Sequence, residues 1–143
     1  MISQLTVFLS NEKGRLAGMC RAISDADINM HSLFVADTED FGVVRIICDT
    51  PQAGAAALKE AGYRASVTQV LGIRLPNEKG GLASVLEFMD EHGINVEYGY
   101  CFLANKDTAI DVLKVNDASI EERIVEAGFI SVAPEEIYIP DAE

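Results

Sequence analysis

The chain has 143 residues, with 11 basic against 23 acidic side chains and a net charge of −12. That balance lacks the clustered Lys and Arg on which nucleic-acid binding depends, and no uncharged run approaches the length of a membrane span. Residues 1–4, Met-Ile-Ser-Gln, lack the basic and apolar regions of an export signal. The expectation is a cytoplasmic protein with no nucleic-acid and no membrane partner. Three scattered cysteines, Cys20, Cys48 and Cys101, have neither metal nor redox spacing. They read as reduced thiols packed as small hydrophobes, and neither a metal site nor a cofactor is expected.

Residues 3–9 alternate, with Leu5, Val7 and Leu9 on one face, which is a strand signal. The turn Asn11-Glu12-Lys13-Gly14 follows, and Leu16, Met19, Cys20 and Ile23 then form one stripe of a helix ending near Asp27. Strands are predicted at 29–36 and 42–49, joined by the polar turn Asp37-Thr38-Glu39-Asp40. Pro51 suits the first turn of a helix, and the alanine-rich stretch 53–61 continues it. A strand at 65–71 runs directly into another at 72–75. Leu82, Val85, Leu86 and Met89 mark a helix closed by Gly93. Strands at 95–103 and 108–115 come next, then a helix at 119–127 with Ile120, Ile124 and Ala127 as its inner stripe. The last strand, 130–139, contains Pro134 and is expected to be bulged or at an edge.

The chain repeats itself. Asn11-Glu12-Lys13-Gly14-Arg15-Leu16-Ala17 returns as Asn77-Glu78-Lys79-Gly80-Gly81-Leu82-Ala83, an offset of 77 − 11 = 66 residues. Ile28-Asn29 returns as Ile94-Asn95, and Glu60-Ala61-Gly62-Tyr63 as Glu126-Ala127-Gly128-Phe129, in the same register. One short gap between these anchors is needed. The order is therefore β-α-β-β-α-β twice, an α+β chain of two ferredoxin-like modules, residues 1–71 and 72–143. A unit this small is marginal alone, so the modules are expected to pack side by side, with their helices on one face of antiparallel sheets.

The usual chemistries of this fold find little support. An RNA-recognition sheet needs basic charge as well as aromatics, and Tyr98, Tyr100 and Phe102 read better as interface residues. Iron–sulfur ligation needs four cysteines per cluster. The only histidines, His31 and His92, have no recognisable Ser or Cys partner, so no catalytic residue is expected. His31 begins a strand, where it is either a ligand contact or a surface residue. The repeated loop remains. A glycine between strand and helix lets a ligand approach the backbone, and the helix N-terminus that follows seats a carboxylate. Asn11 and Asn77 add amide donors and acceptors. The plain alternative is a good turn with a charged tip. Asn29 and Asn95 head the second strands, where they either close the helix in a left-handed conformation or touch a ligand.

The doubled Asn-Glu-Lys-Gly-x-Leu-Ala loop, each followed by Ile-Asn, resembles the ACT-domain family, and in particular small proteins made of two ACT modules. So do 36–42 (Ala-Asp-Thr-Glu-Asp-Phe-Gly) and 97–102 (Glu-Tyr-Gly-Tyr-Cys-Phe). The resemblance covers residues 1–139. It implies a non-catalytic, allosteric module that binds a free amino acid where two modules meet, between the first loop of one and the second strand of its neighbour. The contacts it implies are Asn11, Gly14, Arg15 and Leu16 with Glu97 or Tyr98, and Asn77, Gly80, Gly81 and Leu82 with Asn29 or His31; Asn95 corresponds to Asn29. Arg15 stands against Gly81 and His31 against Glu97, which leaves open whether both sites bind, or bind the same ligand. The resemblance further implies a homodimer and a regulated enzyme or transporter met in trans. The alternative is a protein–protein adaptor of the same fold with no small ligand.

Overall fold

The computed structural model describes residues 1–36 and 40–143, so most of the expected turn Asp37-Thr38-Glu39-Asp40 lies outside the described residues. The chain divides into two compact units. The first module comprises Ser3–Thr68 together with Pro134–Glu143, and the second comprises Met1–Ile2 with Gln69–Ala133.

In the first module the elements are β1 (Ile2–Ser10), α1 (Arg15–Asp25), β2 (Met30–Ala36), β3 (Phe41–Cys48), α2 (Pro51–Glu60) and the start of β4 (Arg64–Pro76). The sheet order is β2-β3-β1-β4, with β3 antiparallel to both β1 and β2. Leu5, Val7 and Leu9 alternate inward and meet Met19 and Ile23 of α1, Val44 and Ile46 of β3, and Leu58 of α2. Each such fully buried aliphatic side chain contributes roughly 1.5–3 kcal/mol. Only two of the four residues predicted for the α1 stripe are fully inside; Cys20 is half-buried and Leu16 is exposed.

The second module continues β4, then α3 (Gly81–Glu91), β5 (Val96–Asn105), β6 (Thr108–Val115), α4 (Ile120–Glu126) and β7 (Ile130–Ser131). Its order is β5-β6-β4-β7, all antiparallel pairs, so the two modules have the same topology. Leu71, Ile73, Leu75, Val85, Met89, Leu113, Ile120 and Ile124 form its core. Both modules are thus βαββαβ units of the ferredoxin-like kind, with the second strand at the open edge in each. The strand expected over 130–139 stops after two residues. Its continuation, the short 3₁₀ turn Pro134–Glu136, makes no ladder, because a proline donates no backbone hydrogen bond.

After that turn the chain belongs to the first module. The Ile139 carbonyl accepts the Thr50 N–H at 2.7 Å, and the Ile139 N–H donates to Asp49 at 2.8 Å. Asp141 accepts the Gln52 and Ala53 N–H groups at 2.9 and 3.0 Å. Thr50, the N-cap residue of α2, makes no cap with its own side chain, so a carboxylate from the far end of the chain does that work. The cysteines divide: Cys48 is buried, with its thiol pushed up to about 12 by burial, whereas Cys101 is exposed and does not pack as a hydrophobe. Among the described residues no helix is long and apolar enough to cross a membrane.

Candidate functional site

The repeated loop has the same backbone in both modules. Gly14 has φ 88 and Gly80 φ 86, each closing the entry to its helix in the left-handed region that favours glycine. The turns match bond for bond: Glu12 N–H to Ser10 O at 2.8 Å is repeated as Glu78 N–H to Pro76 O at 2.9 Å. Arg15 N–H to Glu12 O and Gly81 N–H to Glu78 O are both 3.3 Å. Neither α1 nor α3 has a side-chain cap, so the helix dipole and the N–H groups near Leu16 and Leu82 are not neutralised from within the turn.

The asparagines brace the loops. Asn11 N–H donates to Asp40 O at 3.0 Å, and Asn77 N–H to Asp107 O at 2.8 Å, tying each loop to the turn between its second and third strands. Asn77 also spends an amide N–H on Lys106 O at 2.9 Å. At the other end of each first helix the left-handed residues are Asp27 (φ 59) and Gly93 (φ 68), not Asn29 or Asn95. Both of those asparagines are exposed at the heads of their strands. Asn29 offers its carbonyl to Asp49 N–H at 3.0 Å.

Within one module, Asn29 and His31 stand past the C-terminal end of the helix whose N-terminal end carries Gly14. An 11-residue helix separates them, about 16 Å at 1.5 Å per residue. The first module therefore does not bring Gly14 together with Asn29 or His31, whereas in the second Leu82 lines a cavity with Val96, Gly99 and Tyr100 of β5. His31 is already engaged: its Nε2 lies 2.7 Å from Asp49 Oδ1. The Ile139 N–H and then His31 hold the Asp49 carboxyl below its usual range. Glu97 lies 3.9 Å from Lys114 Nζ, and Tyr98 is half-buried opposite Lys114 in the ladder.

Arg15, the residue after the first loop, lines one cavity, and the second loop opens on another. The first, about 560 Å³, lies beside Arg15, with Phe8 and Arg64 from the neighbouring strands and Gly62 on its rim. Arg15 stacks 4.5 Å over the Tyr63 ring, and its Nε is buried with no hydrogen-bond partner among the described residues. Arg64 rests 5.4 Å over Phe8. The second cavity, about 360 Å³, is formed by Gly80, Gly81, Lys79, Arg74 and Phe129, with Glu78 as its acidic residue. At the repeat offset Phe8 corresponds to Arg74 and Arg64 to Ile130, so each cavity takes an arginine from β4 at a different repeat position. Four of the chain's 11 basic residues thus surround two cavities in a protein of net charge −12.

Arg64, Arg74, Phe8 and the Gly62 and Gly128 positions were not among the residues expected from sequence. The repeated Glu-Ala-Gly-aromatic segment carried the signal, for Gly62 (φ 90) and Gly128 (φ 95) both need the left-handed region. The cations carried none, because they sit at different repeat positions.

The family model for the ACT domain pair matches residues 1–138. The chain belongs to the ACT domain pair family. A protein from Bacteroides thetaiotaomicron of solved structure is 33% identical, with a TM-score of 0.88 over 95% of this chain and 94% of that one. The ligand-free regulatory subunit of aspartate kinase from Thermus thermophilus shares the fold at 13% identity and a TM-score of 0.65, over 87% of this chain and 90% of that one. Its counterpart from Thermus flavus gives 16% identity, a TM-score of 0.65 and coverage of 87% and 88%. None of the curated proteins matches the sequence. The ACT pair thus accounts for the doubled loop, and the two cavities belong to equivalent places in its two modules.

Proposed function

We propose that this ACT pair is a non-catalytic, cytoplasmic regulator that binds a free amino acid and signals to a metabolic enzyme or transporter in trans. The observation that carries the reading is a cavity with two cations at the start of the first helix in each module, next to the repeated glycine loop, in a chain otherwise strongly acidic. A helix N-terminus and nearby guanidinium or ammonium groups suit an α-carboxylate. The loop contacts are Asn11, Gly14, Arg15 and Leu16 in one module and Asn77, Gly80, Gly81 and Leu82 in the other.

The remaining side of the site comes from the second strand of an adjoining module, through Asn29 or His31 and Glu97 or Tyr98, with Asn95 beside them. A second copy of the chain provides it. β2 supports a homodimer, since Leu33, Phe34 and Val35 run consecutively and are exposed on an edge strand, a surface that invites pairing.

A ligand that binds only the folded state stabilises it by mass action, by about 2.7 kcal/mol at a hundredfold excess over its dissociation constant. Thermal melting of the full chain against each of the twenty amino acids, at millimolar concentration, is therefore expected to single out one or a few. Twenty unmoved curves would sink the sensor reading and leave the adaptor of the same fold in its place.

A further inference from the structure

A second cavity of the second module, about 280 Å³, lies on the other flank of α3, between Leu82 and Leu86 and the β5–β6 ladder. Its floor follows from register. Cys101 pairs with Asp111 and Gly99 with Leu113, so these four share one face, the helix-facing one to which the core residue Leu113 belongs. Gly99 is required by what overhangs it: a Cβ there would lie 2.7 Å from Leu113 Cδ2 and 3.2 Å from the Val112 carbonyl. Without a side chain at 99, and with a small one at 101, the helix-facing side of the edge strand is left unfilled. Leu82 and Leu86 consequently remain 46% and 38% exposed although they belong to the apolar stripe of α3.

Asp111 is the unexpected member. It is 3% exposed. Its Oδ2 is buried without a hydrogen-bond partner among the described residues. The Cys101 thiol donates to the carboxylate, and burial nonetheless pushes the Asp111 carboxyl above its usual range. A buried acceptor left unmade is costly, and its persistence calls for a partner that the chain does not supply. The missing partner is a donor, and a positively charged one best offsets a desolvated carboxylate. The walls are apolar, so the rest of that partner is hydrocarbon.

We infer that this groove is a second ligand site, separate from the glycine-loop cavities, that takes a small primary amine with a short apolar body. The ammonium sits on Asp111, and the hydrocarbon lies between Leu82, Leu86 and Leu113. The groove shares Leu82 with the proposed loop contacts, and Leu86, Leu113 and the probe tell the two apart, because an amine without a carboxylate has nothing to offer the cations of the loop cavities.

The test is methyl NMR of the full chain titrated with n-butylamine, and in parallel with n-butanol, at neutral pH. Saturable shifts at the Leu82, Leu86 and Leu113 methyls with the amine, at least tenfold weaker with the alcohol, are expected. Asp111→Val should weaken the amine response at least tenfold and melt no lower than the parent chain. Saturating n-butylamine should also slow iodoacetamide alkylation of Cys101 and leave Cys20 unaffected. Equal responses to the two probes, an undiminished response in Asp111→Val, or no saturable shift would overturn the inference. So would a variant that melts several degrees lower, since the carboxylate would then be serving the fold.

Discussion

On the helix-facing side of its second and third strands the first module presents Leu33 and Val35, 40% and 44% exposed, and Val44, fully buried opposite Val35 and beside Val7. The second module has Gly99, Cys101 and Asp111 there, with Asp111 opposite Cys101 and beside Ile73. The registers coincide and the chemistry differs: the buried third-strand residue is a valine among aliphatic side chains in one module and a carboxylate in the floor of a groove in the other. The second helices diverge too. α2, ten residues long, is capped by Asp141 from the distant tail. α4, seven residues long, follows a local turn in which Asp117 accepts the Ser119 N–H and hydroxyl at 3.0 and 2.6 Å. The loops around Gly14 and Gly80 stay alike because their backbone conformation admits few alternatives.

The largest effect is expected from transplanting the difference. Val44→Asp places a carboxylate in a closed core with no donor to meet it, and should cost at least about 3 kcal/mol in urea unfolding. The reverse change, Asp111→Val, removes an unpaired buried acceptor and should stabilise by about 1 kcal/mol. If both substitutions move stability by similar small amounts, the two positions are less different than their surroundings imply.

Gly14→Leu and Gly80→Leu probe what the modules share. A Cβ at either glycine would meet nothing within 4 Å, so the penalty is conformational, about 1–2 kcal/mol for a side chain held in the left-handed region. Both variants should fold. Calorimetry with the amino acid that raises the melting temperature should show lost affinity in whichever loop holds it. Unchanged affinity in the double variant would put the ligand elsewhere.

Removing the borrowed cap comes next. Asp141→Ala should cost about 1 kcal/mol, Asp141→Asn less, with hydrogen exchange rising first at the amides of Gln52 and Ala53. An unaltered exchange rate there would mean that the tail does not hold α2.

The smallest effect is a pair of opposed pH dependences. Asp49 has its carboxyl lowered by the Ile139 amide and by His31. Its contribution is present above the ordinary carboxylate value and fades as pH falls through the depressed one. Asp111 has its carboxyl raised by burial. The folded state then holds a proton that the unfolded chain has released, so stability declines as pH rises from the ordinary carboxylate value through the raised one. Urea midpoints measured across this range should lose the acid-side fall in Asp49→Asn and the later decline in Asp111→Asn. Curves that superimpose on the parent's would remove both assignments.

Much of this was legible in the chain itself. The 66-residue repeat, the alternation of Leu5, Val7 and Leu9, and the stripe through Met19 and Ile23 report local periods that a strand or a helix must obey. They determined two βαββαβ modules and placed Gly14 and Gly80 at helix entries. Tertiary structure alone decided which apolar positions are covered: Leu16, Leu82 and Leu86 carry the helical period and remain exposed, because coverage depends on what the edge strand presents to the helix. It also decided that Ile139 and Asp141 meet the amides at the start of α2, that His31 is tied to Asp49, and that Arg64 and Arg74, from opposite halves of β4, line equivalent cavities. These contacts join positions far apart in sequence, where no period exists to announce them. The buried Asp111 follows the same rule, for its environment is made by register with β4 and β5, and register is a property of the folded sheet.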